Sequence, residues 1–406
     1  MREQKQRRLP VVIASIAIQL CLGTVYIWSV FQNGIAQGIF SGRNADAALT
    51  FSLLLAVLGF GSIAGGRLQE VIGPRATVIT GGVIAGIGFI AASFTSASFP
   101  WLLWLTYGVL GGFGMGFSYS TTITIAQKWY PEKKGLITGI IVSALGFGGV
   151  VFTPIVGAVI AHFDTGVAGS GELMALRVLG IIFIVVSLIG GYFIAAPPED
   201  VLHGAVSGSG QGESLSPRQI MKDPRFYLLA GSLMLACMGG LMMIGFAKPI
   251  AIARGMAKTA TVGVLAITLF NSIGRLFWGF ISDKLGRKRT VILLLVVTAV
   301  LSLCVNLVTG YMIYVLIALI GFSYGGFLGT YPSFTSDLFG VKYNATNYGM
   351  VLIGFAVGAL ASSYIAGYFK DIAATDINLM FPAFIIASAA ALLSILLVAL
   401  IKTKNV

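Results

Sequence analysis

Between positions 10 and 31 the chain runs from proline to phenylalanine without one charged side chain. An uncharged apolar stretch of about 20 residues matches the hydrocarbon thickness of a bilayer. In that medium a segment must satisfy its backbone polar groups internally, which leaves helices for runs of this length. Twelve apolar runs of comparable length, most of them uncharged, lie along the chain, at 10–31, 47–67, 76–94, 101–127, 135–162, 176–196, 227–254, 259–282, 290–308, 312–336, 345–369 and 379–401. The expected fold is therefore all-α, a polytopic membrane protein of twelve transmembrane helices. Composition agrees: 57% of the residues are hydrophobic and 10% charged, against about 25% charged in a soluble domain. The first run is too long for the apolar core of a signal peptide and is read as a span.

The net charge of +12 invites a nucleic-acid reading, but the basic residues sit in short loops between spans. Of the 26 Lys and Arg, Arg43, Arg177, Arg254, Lys258 and Lys370 fall on one side, and Lys248 and Arg275 inside spans. All the others lie on the side of the termini, which places both termini in the cytoplasm of a cell whose inner membrane holds the chain. No nucleic-acid partner is expected.

The segment 197–226 is rich in Pro, Gly, Ser and mixed charge and separates two sets of six spans. The expected organisation is a bundle over 1–196, a cytoplasmic linker over 197–226 and a second bundle over 227–406. An internal repeat at an offset of 213 supports it. Gly66-x3-Glu70-x2-Gly73-Pro74-Arg75 after span 2 corresponds to Gly279-x3-Asp283-x2-Gly286-Arg287-Lys288 after span 8, and the same offset carries Gly112 and Gly116 onto Gly325 and Gly329. Glycine in such a loop lets two spans approach closely, and the carboxylate can cap a neighbouring helix N-terminus. Parallel six-span halves are a transporter architecture with the cargo site at the midplane.

Arg275 is the residue least at home in this sequence. It lies inside span 8, where a guanidinium costs roughly 2.5–3.5 kcal/mol even on a lenient insertion scale and cannot shed its proton. Thr268, Asn271, Ser272, Gly279 and Ser282 lie on the same helical face, so the stripe is expected to face a wet cavity rather than lipid. All 14 acidic residues fall in tails, loops or span ends, which makes a transported anion the natural partner of Arg275. The offset of 213 puts Ser62 opposite Arg275 and Leu58 opposite Asn271, so the charge belongs to the second half alone. Asn271 could bind the anion or orient Arg275. Tyr119, Tyr324, Tyr331 and Tyr26 lie away from the interfacial belts where tyrosine is usual and could close a pocket. Tyr119 and Tyr331 come within one residue of equivalence at that offset. Leu145 would supply an apolar wall. Lys248 could draw anions to the outer mouth or snorkel to the surface.

Other chemistries find little support. Cys21, Cys237 and Cys304 sit in spans without metal-ligand spacing, and His162 and His203 have no ligand company, so no metal and no cofactor is expected. There is no phosphate-binding loop of the GxxxxGK[ST] form and no catalytic constellation within a span, so the chain is not expected to be an enzyme.

The loop motif, placed after spans 2 and 8, resembles the signature of the major facilitator superfamily. The run Trp129-Tyr130-Pro131-Glu132-Lys133-Lys134-Gly135-Leu136-Ile137-Thr138-Gly139 is similar to the span 4–5 motif of monocarboxylate transporters. Gly23-Thr24-Val25-Tyr26-Ile27-Trp28 resembles the oxalate–formate antiporter group, in which a span 8 Arg works with a span 11 Lys. Span 11 has no basic residue between Asn344 and Tyr368 here, which argues for one carboxylate rather than two. Asn271-x3-Arg275 resembles the Asp-x3-Arg of animal lactate carriers. The resemblance implies secondary transport of a small monocarboxylate such as L-lactate or pyruvate with a proton, by alternating access around Arg275, in a functional monomer. The alternative is a carboxylate exchanger of the oxalate–formate type.

Overall fold

The computed structural model describes residues 2–198, 214–253, 255–372 and 377–402. His203, Arg254, most of the linker and the side chains of Lys248 and Lys370 lie outside the described residues. Among those described the chain is helical and forms no strand. The helices are α1 (Arg2–Leu22), α2 (Trp28–Ile39), α3 (Asn44–Ala92), α4 (Gly112–Trp129), α5 (Lys134–Phe163), α6 (Ser170–Phe193), α7 (Pro224–Ala253), α8 (Ala260–Leu285), α9 (Arg287–Cys304), α10 (Met312–Phe339), α11 (Asn344–Ile372) and α12 (Phe381–Leu400).

Nine helical stretches among the described residues are long and apolar enough to cross a membrane. The twelve spans read from the sequence are recovered once three local features are recognised. Spans 2 and 3 are two helices that meet without a loop at the non-helical Gly73 (φ 81°, ψ 166°) and are together labelled α3. Span 4 opens with one α-turn and the π-helical stretch Trp104–Gly111 before α4. Span 9 begins on three basic residues, Arg287, Lys288 and Arg289. A 3-10 turn, Gly23–Ile27, interrupts span 1 between α1 and α2.

Gly73 and Gly286 (φ 85°) occupy the same place in the two loop motifs, in a left-handed region that a side chain disfavours. The residues that follow repeat as well. Thr77 Oγ1 donates to the Gly73 carbonyl at 2.8 Å, and Thr290 Oγ1 to that of Gly286 at 3.0 Å. Arg75 Nη2 donates to Tyr192 O at the end of α6. Its counterpart Lys288 donates to Ala399 O and Ile401 O at the end of α12. A cation on a helix C-terminus meets the unsatisfied carbonyls and the negative end of the dipole.

The chain divides into two compact units. The first comprises Met1–Pro131, Ala144–Ser209 and Tyr343–Met350; the second comprises Glu132–Ser143, Gly210–Lys342 and Val351–Val406. Helices α5 and α11 are each shared, giving their first residues to one unit and the rest to the other.

Inside each unit, glycines set how closely neighbouring spans approach. In the first unit a Cβ on Gly61 would strike Phe113, and one on Gly116 would strike Leu58 and Ser62; in the second, one on Gly274 would strike Phe322, and one on Gly325 would strike Asn271 and Arg275. Spans 2 and 8 thus keep the offset of 213, while spans 4 and 10 are related by 209. This corrects the expected match of Gly112 and Gly116 with Gly325 and Gly329: their partners are Gly321 and Gly325. Four residues is about one helical turn, so the wrong register presents glycine to nearly the same face and cannot be told apart by sequence.

Candidate functional site

The polar stripe of α8 is buried at Asn271, Ser272, Gly279 and Ser282, and the opposite face bears exposed Leu265, Leu269, Ile273, Leu276 and Phe280. That separation makes one face suited to lipid and the other to protein. Arg275 is 1% exposed, with Asn271, Ser272 and Ser282 also buried. The wet cavity expected around the stripe is replaced, at Arg275, by protein oxygens. Its Nε donates to Asn271 Oδ1 at 3.0 Å, and its Nη1 to the backbone carbonyl of Val142 in α5, also at 3.0 Å. Both of these acceptors are neutral oxygens, and they orient the guanidinium.

Asn271 has thus given its oxygen to Arg275. Its amide nitrogen is buried and makes no hydrogen bond within the described protein, a donor aimed away from the arginine it orients. Beside this pair, Ser143 Oγ donates to Ser272 O at 2.8 Å, and Gly139 packs so tightly on Arg275 and Leu276 that a Cβ has no room. Val142, Ser143 and Gly139 were not legible as site residues, because a backbone acceptor has no sequence signature. The GLITG run opening α5 is the only trace of that close approach.

The tyrosines take distinct places. In the second unit Tyr324 packs its ring on the backbone of Gly240 in α7, and Tyr331 OH pairs with Ser232 Oγ at 2.9 Å. In the first unit Gln19 Nε2 donates to Thr122 Oγ1 at 2.8 Å. Gln19 and Ser232 are related by 213, Thr122 and Tyr331 by 209. The long and short partners have changed places while the bracket between helices stays. At this register Tyr331 corresponds to Thr122 and not to Tyr119, which corrects the near-equivalence expected of the two tyrosines. Tyr119 OH instead lies 3.4 Å from Tyr348 OH, both rings being buried in the first unit. Tyr26 lies beside Gly149, and the carbonyl of Leu145 presses on Gly23 where span 1 crosses α5.

The loop motifs hold the start of a neighbouring helix in each unit. In the second, Asp283 accepts from Gly135 N at 2.9 Å and Leu136 N at 2.8 Å, at the first turn of α5. Arg287 bridges Asp283 and Asp337, and Lys134 Nζ meets Asp337 at 3.0 Å. Gly279 makes room by packing on Gly135. In the first, Glu70 accepts from Thr346 Oγ1 at 3.0 Å, and Asn344 Nδ2 donates to Gln127 Oε1 at 2.8 Å, with Gly66 packed on Thr346. Pro74 stands where the second motif has Arg287, so the first has no bridging guanidinium.

The sequence profile of the Major Facilitator Superfamily matches residues 13–362 and 259–405. The chain belongs to this superfamily. A relative in Escherichia coli, the uncharacterized MFS-type transporter YhjX, is 32% identical over 86% of this chain and 85% of its own. The oxalate:formate antiporter of Oxalobacter formigenes is 27% identical over 88% of this chain and 82% of its own. The monocarboxylate transporter 12-B of Danio rerio is 25% identical over 90% of this chain and 80% of its own. Among solved structures, the superfamily transporter FucP in the outward conformation aligns with a TM-score of 0.70 at 12% identity, covering 96% of this chain and 97% of that one. The protein is a multi-pass membrane transporter and not an enzyme.

Proposed function

We propose that this superfamily member carries a small monocarboxylate, such as L-lactate or pyruvate, across the inner membrane by alternating access around Arg275. The observation that carries this reading is a fully buried guanidinium in mid-span held by the neutral oxygens of Asn271 and Val142. A carboxylate matches that fork in shape and charge. The Asn271 amide nitrogen is a second donor, suited to the cargo's hydroxyl or keto oxygen. Similarity to an oxalate:formate antiporter and to a monocarboxylate transporter supports the class. Span 11 has no second cation in its central stretch, which favours one carboxylate over two.

An anion on the guanidinium offsets positive charge in the site, which then crosses low dielectric more easily. We take the cycle to be symport with a proton in a functional monomer; strict exchange of carboxylates is the second reading. Proteoliposome uptake of labelled L-lactate separates them. Uptake driven by an imposed pH gradient without internal anion is expected for symport, and strict dependence on internal anion indicates exchange. Arg275→Gln is expected to abolish uptake while membrane insertion stays normal. Retained uptake in that variant would remove the proposed site.

A further inference from the structure

A carboxylate grips a guanidinium best through two parallel N–H···O bonds, which require an edge made of two nitrogens. In Arg275 both kinds of edge have a nitrogen already bonded: Nε to Asn271 Oδ1 and Nη1 to Val142 O. The two bonds differ in what they connect. Asn271 lies one turn back on α8 itself, so its bond is local to one helix. Val142 lies on α5, so its bond joins two helices. The distal nitrogens are also the ones that a long side chain presents to an arriving ion.

We propose that cargo takes the distal edge of Arg275 and displaces the Val142 carbonyl, so that binding unfastens α5 from α8. Ser143 is then a positioning residue that holds this carbonyl on the arginine. This rests on the carboxylate reading of Arg275 and adds a regulated fastening to the same site. Both bonds have the guanidinium as donor, but a carboxylate brings two parallel bonds and an opposite charge where the Val142 carbonyl offers one neutral acceptor. Beside it, Ser143 Oγ holds Ser272 O at 2.8 Å, and Gly139 keeps the two backbones close. The Val142 carbonyl has a second lone pair for its own helix, so losing Arg275 leaves it satisfied. Helix α5 leaves the second unit directly after Ser143 and continues in the first from Ala144.

The test uses the full-length protein in detergent with N-ethylmaleimide as the thiol probe. Ser143 is 4% exposed, so Ser143→Cys should label slowly at rest. Cys21 and Cys237 are buried and Cys304 half-buried, and the wild-type chain supplies their background. Saturating L-lactate is expected to accelerate labelling at position 143 at least threefold, chloride is not, and the double variant with Arg275→Gln should show no acceleration. An unchanged or slowed rate, while L-lactate still raises the Tm of the same variant, would overturn the unfastening and leave the carboxylate reading intact. If L-lactate, pyruvate and oxalate all fail to raise the wild-type Tm, the carboxylate reading falls and this inference with it. Ser143→Ala gives an independent readout: relaxing the competing carbonyl should lower the Kd for L-lactate by about threefold to tenfold, the worth of one hydrogen bond. A merely structural serine would leave Kd unchanged or raise it, and either result would overturn the proposal.

Discussion

Arg275 and Asn271 divide one task at the scale of single residues. The asparagine oxygen fixes Nε, and the arginine supplies a permanent positive charge. Asn271→Ala would leave a buried charged donor without that oxygen, a loss of about 1.5–3 kcal/mol for a hydrogen bond to a charged group. Its KM for L-lactate in proteoliposomes is expected to rise tenfold or more, with the amount of inserted protein unchanged; an unchanged KM would show that Asn271 orients nothing that matters to cargo. The sequence marked both residues, because polar side chains at helical spacing in an apolar run have few bland explanations. It did not mark Val142, whose contribution is a carbonyl that every residue owns.

Between elements, glycine decides how near two spans come. Gly325 lies against the backbone of α8 at Asn271 and Arg275, so Gly325→Ala must push α10 away from the helix that carries the site. Overpacking of this kind costs about 1–3 kcal/mol, and thermal unfolding in detergent should show a lower Tm together with weaker L-lactate binding. At the start of α7 a different device operates. Asp223 accepts from Arg225 by both its side chain and its backbone N–H, and the Arg225 hydrogen bond, ahead of opposing desolvation, holds the Asp223 carboxyl below its ordinary value. A carboxyl depressed in the fold stabilises it above the unfolded value, about 3.9, and loses that contribution as pH falls through the depressed value. Asp223→Asn is thus expected to lower stability by about 1 kcal/mol at pH 7. The difference from wild type should vanish in acid below both values; a difference that persists there would assign the effect to packing.

For the whole molecule, orientation is the inference that basic residues alone carry. The excess of Lys and Arg on the side of the termini predicts cytoplasmic ends. A fluorescent protein fused after Val406 should fluoresce, and alkaline phosphatase inserted in the loop around Arg43 should be active. The reverse pattern would overturn the orientation and the side from which cargo enters. The two loop motifs also differ in kind at this scale. The second is a network of Asp283, Arg287, Asp337 and Lys134, while the first joins Glu70, with Lys128 near enough to act on it electrostatically, to the hydroxyl and amide groups of Thr346, Asn344 and Gln127.

Hydrophobic run length determined the helical membrane fold, and the loop motifs exposed the repeat, since both follow from local composition that each segment carries unaided. An arginine in mid-span announced the site for the same reason: its cost is incurred wherever the helix packs. Tertiary structure alone decided the 209 register of spans 4 and 10, the pairing of Tyr331 with Ser232, and the carbonyl that holds Arg275. Those depend on which backbone atoms lie opposite a glycine or a hydroxyl, and one helical turn of slippage leaves the sequence pattern nearly unchanged while replacing every contact.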